Sequence, residues 1–418
     1  MSSALPTQSL TRTQIPNGGY GWVCVAAQFL VNGFTWGAVA SYSVYLAYYL
    51  SHNIFPDAEP LDFALIGGCN FSMAMLAAPF ATLMTRLYGV KAPMLLGVFL
   101  FPAGYVAASF AHKAWHLYLS QGVLLGLGVG FIYIPASGII PQWFTTRRSL
   151  ANGICAAGSG IGGLIMCFST EAMLRAVGLS WTLRITAIIV FCINLVATIL
   201  IRPFNAEVQL RPKMFDWHLL QRYHVNLLLA WSFVIMFGYI TLMFSLSDYA
   251  LSIGQSDADS ATVAAILNLG AALGRPVIGF ASDRWGRIEV AGLLTFACGL
   301  LVFVLWLPTK IYGVLLVFAL FGGAILGIFW AVIAPVAADI VDLQDVQSLL
   351  SISFLSVVLP CTFAEVIALK LRRPDAERSY LYPQIFAGVS YLVGAVIILE
   401  LWRSVRKSKS HQYEKSSV

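Results

Sequence analysis

Charge is scarce in this sequence. Of 418 residues only 11% are Asp, Glu, Lys or Arg, while 59% are apolar. An ordinary soluble domain carries about 25% charged and about 45–50% apolar residues, so a chain this long with this little charge is not one solvated mainly by water. Intrinsic disorder, which needs low hydrophobicity and high charge, is excluded by the same figures. Cysteine is sparse as well. The seven cysteines are odd in number, form no C-x-x-C and fall inside apolar runs, as expected of small packing residues rather than a disulfide framework. The six histidines lie in or near polar links, and no H-E-x-x-H, Walker loop or nucleophile elbow occurs. No metal, cofactor or enzyme chemistry is therefore expected, nor transport driven by the chain's own ATP hydrolysis. A chain solvated mostly by lipid remains.

Twelve apolar segments are long enough to span a bilayer, which takes about 20 residues each. They are 21–50, 63–87, 92–111, 116–141, 149–172 and 181–201, then 223–253, 260–283, 290–307, 311–341, 346–369 and 381–402. The expected fold is an all-α membrane protein of twelve transmembrane helices in two six-helix bundles. The expected organisation is a cytoplasmic tail (1–20), a first bundle (21–202), a cytoplasmic linker (203–222), a second bundle (223–402) and a basic cytoplasmic tail (403–418). The start, Met-Ser-Ser with Arg12 before the first apolar run, does not read as a cleaved signal peptide.

An internal repeat is faintly visible. The links holding Gly89 and Gly286 lie 197 positions apart. Glycine-rich runs in the fourth and tenth segments lead to Pro135 and Pro335, which are 200 apart. Two matches at nearly one offset point to a six-helix unit used twice. With both termini inside, cytoplasmic segments carry 16 Lys and Arg against 8 outside, the bias expected of cytoplasmic loops. The Lys370–Arg378 link runs against it, offset in part by Asp375 and Glu377. The net charge of +6 then reads as loops facing anionic lipid, with no nucleic-acid partner.

Three stretches carry a family resemblance. Gly279, Asp283, Arg284, Gly286 and Arg287 give G-x-x-x-D-R-x-G-R at the cytoplasmic end of the eighth segment. There Gly279 permits close helix approach and Gly286 a tight turn, while Asp283 can pair with arginine or cap a helix. The pattern resembles the loop signature of the major facilitator superfamily. Its first-half counterpart, Arg86 to Lys91, keeps Gly89 but lacks the Asp. A second stretch, Asn17-Gly18-Gly19-Tyr20-Gly21-Trp22, opens the first segment. A third opens the fifth, with Trp143, Phe144, Arg147, Leu150, Ala151 and Gly153. These two resemble the signatures of the monocarboxylate porter family, with Asn17 where an acidic residue is usual, and look most like fungal members. The resemblance implies transport of organic acids, riboflavin or secondary metabolites.

Arg275 is the most informative single residue. It lies eight positions before Asp283, hence about 12 Å deep at 1.5 Å per residue. A charge at that depth is costly and should meet a cavity or a partner. The resemblance matches Arg275 to the family's eighth-span arginine, implicated in binding anionic substrate. Ala271 and Ala40 stand where animal members have an acidic residue and a lysine, so a simple lactate–proton symporter is not implied. Asn32, Tyr42, Tyr45, Tyr133, Tyr239 and Asn268 are further candidates to line a solute cavity, or else interhelical hydrogen-bond partners. Glu365 is a coupling candidate, a counterion for Arg275, or a residue snorkelling to the surface.

The resulting expectation is a monomeric secondary transporter, not an enzyme. It would move a small organic solute, an organic acid or carboxylated metabolite, with protons as a candidate second partner. Export of a fungal secondary metabolite and a non-transporting sensor on the same fold are the alternatives. The plasma membrane is the expected location, with an internal membrane as the alternative.

Overall fold

The computed structural model describes residues 17–56, 58–204, 217–373, 376 and 378–416. The first tail up to residue 16, linker residues 205–216 with Arg211 and Lys213, and Asp375 and Glu377 lie outside them. Among the described residues the regular structure is helical.

Eleven helices are long and apolar enough to cross a membrane. In the first half these are α1 (Gly21–Tyr49), α2 (Leu61–Tyr88), α3 (Lys91–Ala108), α4 (Ala114–Trp143) and a helix of 53 residues, Arg148–Leu200. A 53-residue helix would be about 80 Å long, far more than a bilayer's thickness. It is two spans broken at Gly178, whose φ of 75° and ψ of 175° are non-helical. The arms are α5 (148–177) and α6 (179–200). The second half has α7 (Tyr223–Ser252), α8 (Ala258–Trp285), α9 (Arg287–Trp306), α10 (Tyr312–Ile340), α11 (Val346–Leu371) and α12 (Leu381–Lys407). The twelve expected spans are all present, but the fifth and sixth are joined by one glycine turn rather than a loop.

Local chemistry sets the helix ends. Ser256 caps α8, its hydroxyl accepting from the Asp259 N–H at 3.2 Å in a capping box. Gly89 ends α2 and Gly286 ends α8, with φ of 79° and 105°. These are the two glycines of the weak repeat, and each sits where a side chain would be strained.

The helices form two bundles of six. Within the first, α1 packs on α5 and α3 on α4; within the second, α7 packs on α12 and α8 on α10. Between them α5 meets α8 and α2 meets α11. Phe99, Phe168, Ile188, Val277, Leu293 and Val396 are exposed on the outside, where lipid is their natural solvent.

Glycines set how closely α5 approaches its neighbours. A Cβ on Gly37 would lie 2.6 Å from the Gly162 carbonyl carbon, and one on Gly160 would lie 2.7 Å from the Asn268 carbonyl oxygen. Neither helix could keep its place with a larger residue there. Gly162→Val is expected to destabilise the fold by about 1–3 kcal/mol, as overpacking does. The thermal unfolding midpoint in detergent measures this, and an unchanged midpoint would contradict the packing.

Candidate functional site

Two of the helices that line the seam between the bundles are interrupted. α1 breaks at Thr35, whose φ and ψ are −112° and −77°. α10 breaks at Gly327, whose φ and ψ are −86° and 26°. Each break precedes a tryptophan, Trp36 and Trp330, and the two rings meet at 5.5 Å between centroids. Trp330 also touches Tyr133 at 6.2 Å, Tyr239 at 6.4 Å and Phe354 at 6.3 Å. Trp36 touches Phe71 at 5.1 Å and Tyr133 at 5.6 Å. This cluster draws on α1, α2 and α4 of one bundle and α7, α10 and α11 of the other. Asn152 fixes the interrupted part of α10, donating to the Ala331 carbonyl at 2.7 Å and the Trp330 carbonyl at 3.2 Å.

Arg275 lies beside the cluster and is 6% exposed. Its Nη1 donates to the Ala156 carbonyl at 2.7 Å and to the Ser159 hydroxyl, both on α5 of the opposite bundle. Tyr133 and Tyr239 are near enough to interact with it electrostatically. A Cβ on Gly327 would lie 3.0 Å from Nη2, so this glycine lets the guanidinium rest on the α10 backbone. Two buried donors have no partner here, Arg275 Nε and Trp36 Nε1. The buried cation is held by neutral groups, and not by Glu365, whose charged neighbour is Asp248.

The other expected cavity residues divide. Tyr133 and Tyr239 belong to the cluster. Asn268 donates to the Ala264 carbonyl of its own helix and lies against Gly163. Tyr42 donates to the Phe63 carbonyl, Asn32 to the Gln28 carbonyl, and Tyr45 pairs with Thr186. Tyr42 and Tyr45 tie α1 to its neighbours in the first bundle, while Asn32 bonds within α1 itself. Trp36, Phe71, Trp330 and Phe354 were missed. The signal that could have found the tryptophans is their place deep in apolar segments, since Trp in membrane proteins is enriched at the interfaces.

The glycine-arginine loop closes one end of the seam, here termed the latch. Asp283 accepts from the Ser149 N–H at 2.9 Å and the Leu150 N–H at 2.8 Å, capping the first turn of α5 across the bundle boundary. Arg287 pairs with Asp283 at 3.3 Å and Asp339 at 2.5 Å, and donates to the Thr145 carbonyl at 2.9 Å. Gly279 passes close to the Ser149 backbone. Arg284 is exposed and makes none of these contacts. Arg148, one of the sixteen cations assigned to cytoplasmic segments, is buried and donates to the Phe144, Pro141 and Ala338 carbonyls. A cavity of about 340 Å³ lies among Thr145, Thr146, Arg148, Arg287 and Asp339.

The two signature stretches touch each other next to the latch. Asn17 Oδ1 accepts from the Thr145 N–H at 2.6 Å and the Thr146 N–H at 2.9 Å. These are acceptor roles that a carboxylate also fills, while Asn17 Nδ2 adds a bond of its own, donating to the Thr145 hydroxyl at 2.6 Å. Trp22 packs edge-on to Phe144 at 5.0 Å, and Gly21 leaves room for Trp143. Gly19 takes a φ of 62° in the turn before α1.

The sequence profile of the Major Facilitator Superfamily matches residues 22–216 and 228–416, one stretch in each bundle. The chain belongs to the major facilitator superfamily. Among major facilitator relatives, the Saccharomyces cerevisiae protein named Probable transporter MCH2 is 33% identical over 384 residues, covering 90% of this chain and 81% of its own. Monocarboxylate transporter 10 of Danio rerio is 25% identical over 413 residues, covering 94% and 80%. The major facilitator fold itself is similar to that of the proton:xylose symporter XylE, with a TM-score of 0.76, 12% identity and coverage of 92% of this chain and 96% of that one.

Proposed function

We propose that this chain is a secondary transporter for a small organic anion with an apolar body, a carboxylate above all, and that it works by alternating access. The two bundles rock about the aromatic cluster, and the latch face is the cytosolic one. The observation that carries this reading is Arg275, a buried cation at the bundle boundary held by neutral groups, with Nε unspent beside rings from both bundles. A carboxylate docking on the guanidinium gains a charge-assisted hydrogen bond in a site sheltered from water. The rings offer its carbon skeleton an apolar surface. Rocking changes which face the site meets while the site itself stays at the midplane.

Counterflow in proteoliposomes tests the proposal. Labelled aliphatic acids, aromatic acids, polyketide acids and riboflavin are loaded on one side and exchanged from the other. Exchange of at least one acid, competed by other acids and not by their amides, is the expected result. Equal competition by neutral amides would overturn the role given to Arg275. Trp330→Ala should raise the KM for an accepted acid about two- to twelvefold, the loss of about 0.5–1.5 kcal/mol of ring contact. An unchanged KM would remove Trp330 from the site.

A further inference from the structure

A second set of ionisable groups lies at the end of the second bundle opposite the latch. Asp248 is on α7, Glu365 on α11, Arg372 at the end of α11 and Tyr380 just before α12. Asp248 Oδ2 accepts from Arg372 at 2.7 Å and from the Tyr380 hydroxyl. The Arg372 guanidinium also lies over the Tyr380 ring, 4.9 Å from its centroid. Beneath this closed group sits Glu365. It precedes Arg372 by seven positions, two turns along the same face and about 10 Å deeper.

Two atoms of the set are enclosed and without a partner, Glu365 Oε2 and Arg372 Nε. Asp248 is near enough to Glu365 to interact with it electrostatically. The elements packed on α11 bring few other ionisable groups. α7 has Tyr239 toward the centre and Tyr249, bonded to the Thr309 carbonyl, at its end. α2 has Asp62, which accepts from the Tyr118 hydroxyl at 3.0 Å, and Cys69. The outer half of α12 carries Tyr382 and Tyr391, the latter bonded to the Leu326 carbonyl at 2.7 Å.

Glu365 also stands at the seam. One turn before it, the Thr362 carbonyl lies where a Cβ on Gly68 of the first bundle would come within 2.9 Å. Separation of α2 from α11 would therefore bring water to Glu365. A half-buried carboxylate whose Oε2 is enclosed and unpartnered is more costly as an anion than as a neutral acid. Opening reverses that preference.

We propose that Glu365 is a proton-binding site that loads from this face past Asp248 and carries its proton in the same cycle that moves the solute. This rests on the transport reading above. The step is a transfer from hydronium to the Glu365 carboxylate on this side and the reverse transfer to water on the other. Asp248 and Arg372 are positioning residues, which hold the outer ends of α7 and α11 together above Glu365.

The test has two arms. Infrared difference spectra of the reconstituted protein, between neutral and alkaline pH, read the carbonyl stretch of a buried protonated acid without needing a solute. The expected band is lost in Glu365→Gln and returns, displaced, in Glu365→Asp. Transport then separates exchange from coupling. Glu365→Gln should keep counterflow within about twofold of wild type but lose accumulation driven by a pH gradient. A band unchanged by Glu365→Gln, or undiminished pH-driven accumulation, would overturn the proposal. A wild-type protein that shows the Glu365-dependent band yet exchanges no solute would overturn the transport reading and leave the proton site supported.

Discussion

Arg275→Ala should leave the protein folded and inserted while reducing counterflow of its anionic solute by about ten- to a hundredfold or more. A hydrogen bond to a charged group contributes about 1.5–3 kcal/mol, and each 1.4 kcal/mol is a factor of ten. The fold should survive because the partners left behind, the Ala156 carbonyl and the Ser159 hydroxyl, are neutral. Breaking a buried ion pair strands a charge, and that is what makes such mutations severe; here no opposite charge is stranded. The unfolding midpoint should therefore stay level or rise. Arg275→Lys distinguishes charge from shape. It keeps the cation but loses the planar fork, and should recover only part of the activity. Counterflow kinetics of Arg275→Ala equal to wild type would remove the residue from solute binding.

Asp283→Ala should shift the balance of conformations rather than the affinity of the site. The carboxylate caps the first turn of α5, pairs with Arg287, and so ties α8 and α9 to the opposite bundle. Losing a cap costs about 0.5–2 kcal/mol. The ion pair adds little to this, because Arg287 keeps Asp339 at 2.5 Å and its charge is not stranded. A change of about 2 kcal/mol alters a two-state population about thirtyfold. Gly138 and Gln347 report on this contact, since Gln347 donates to the Ile134 carbonyl at 3.2 Å across the boundary. Cysteines placed at both positions should be joined efficiently by a short thiol crosslinker in the parent and poorly with Asp283→Ala. Equal yields would show that Asp283 does not hold this end closed. Turnover should fall in the mutant while the KM changes little, because the substitution lies away from Arg275 and the rings.

Much of the architecture could be read from composition and spacing, because lipid imposes a strong filter. Long apolar runs declare spans, and a lone arginine inside one declares itself by its cost. Gly89 and Gly286 were legible as turn glycines because few other residues accept their φ. The latch was half legible. Asp283 and Arg287 stood out by motif, but Arg148 looked like any loop cation, and only the fold over the ends of α4 and α10 buries it. The cavity residues were less legible still. Helical spacing grouped Tyr42, Tyr45 and Tyr49 on one face of α1 but could not say which neighbour that face meets. The neighbour proved to be the first bundle itself, through Phe63, Thr186 and Gln121. Trp36 and Trp330 were hidden by abundance in a chain that is 13% aromatic.

The glycines along α5 have a mechanical consequence. Gly153, Gly160 and the facing Gly279 put main chain against main chain where α5 meets α8. Two helices that interlock through long side chains must undo rotamers, one after another, before they can turn. A smooth backbone contact has few teeth to disengage and behaves as a bearing. Resistance to rocking then concentrates at the latch and at the bonds from Arg275 to Ala156 and Ser159, the few fastenings that cross this seam. A single carboxylate at the latch can for that reason govern the motion of two whole bundles.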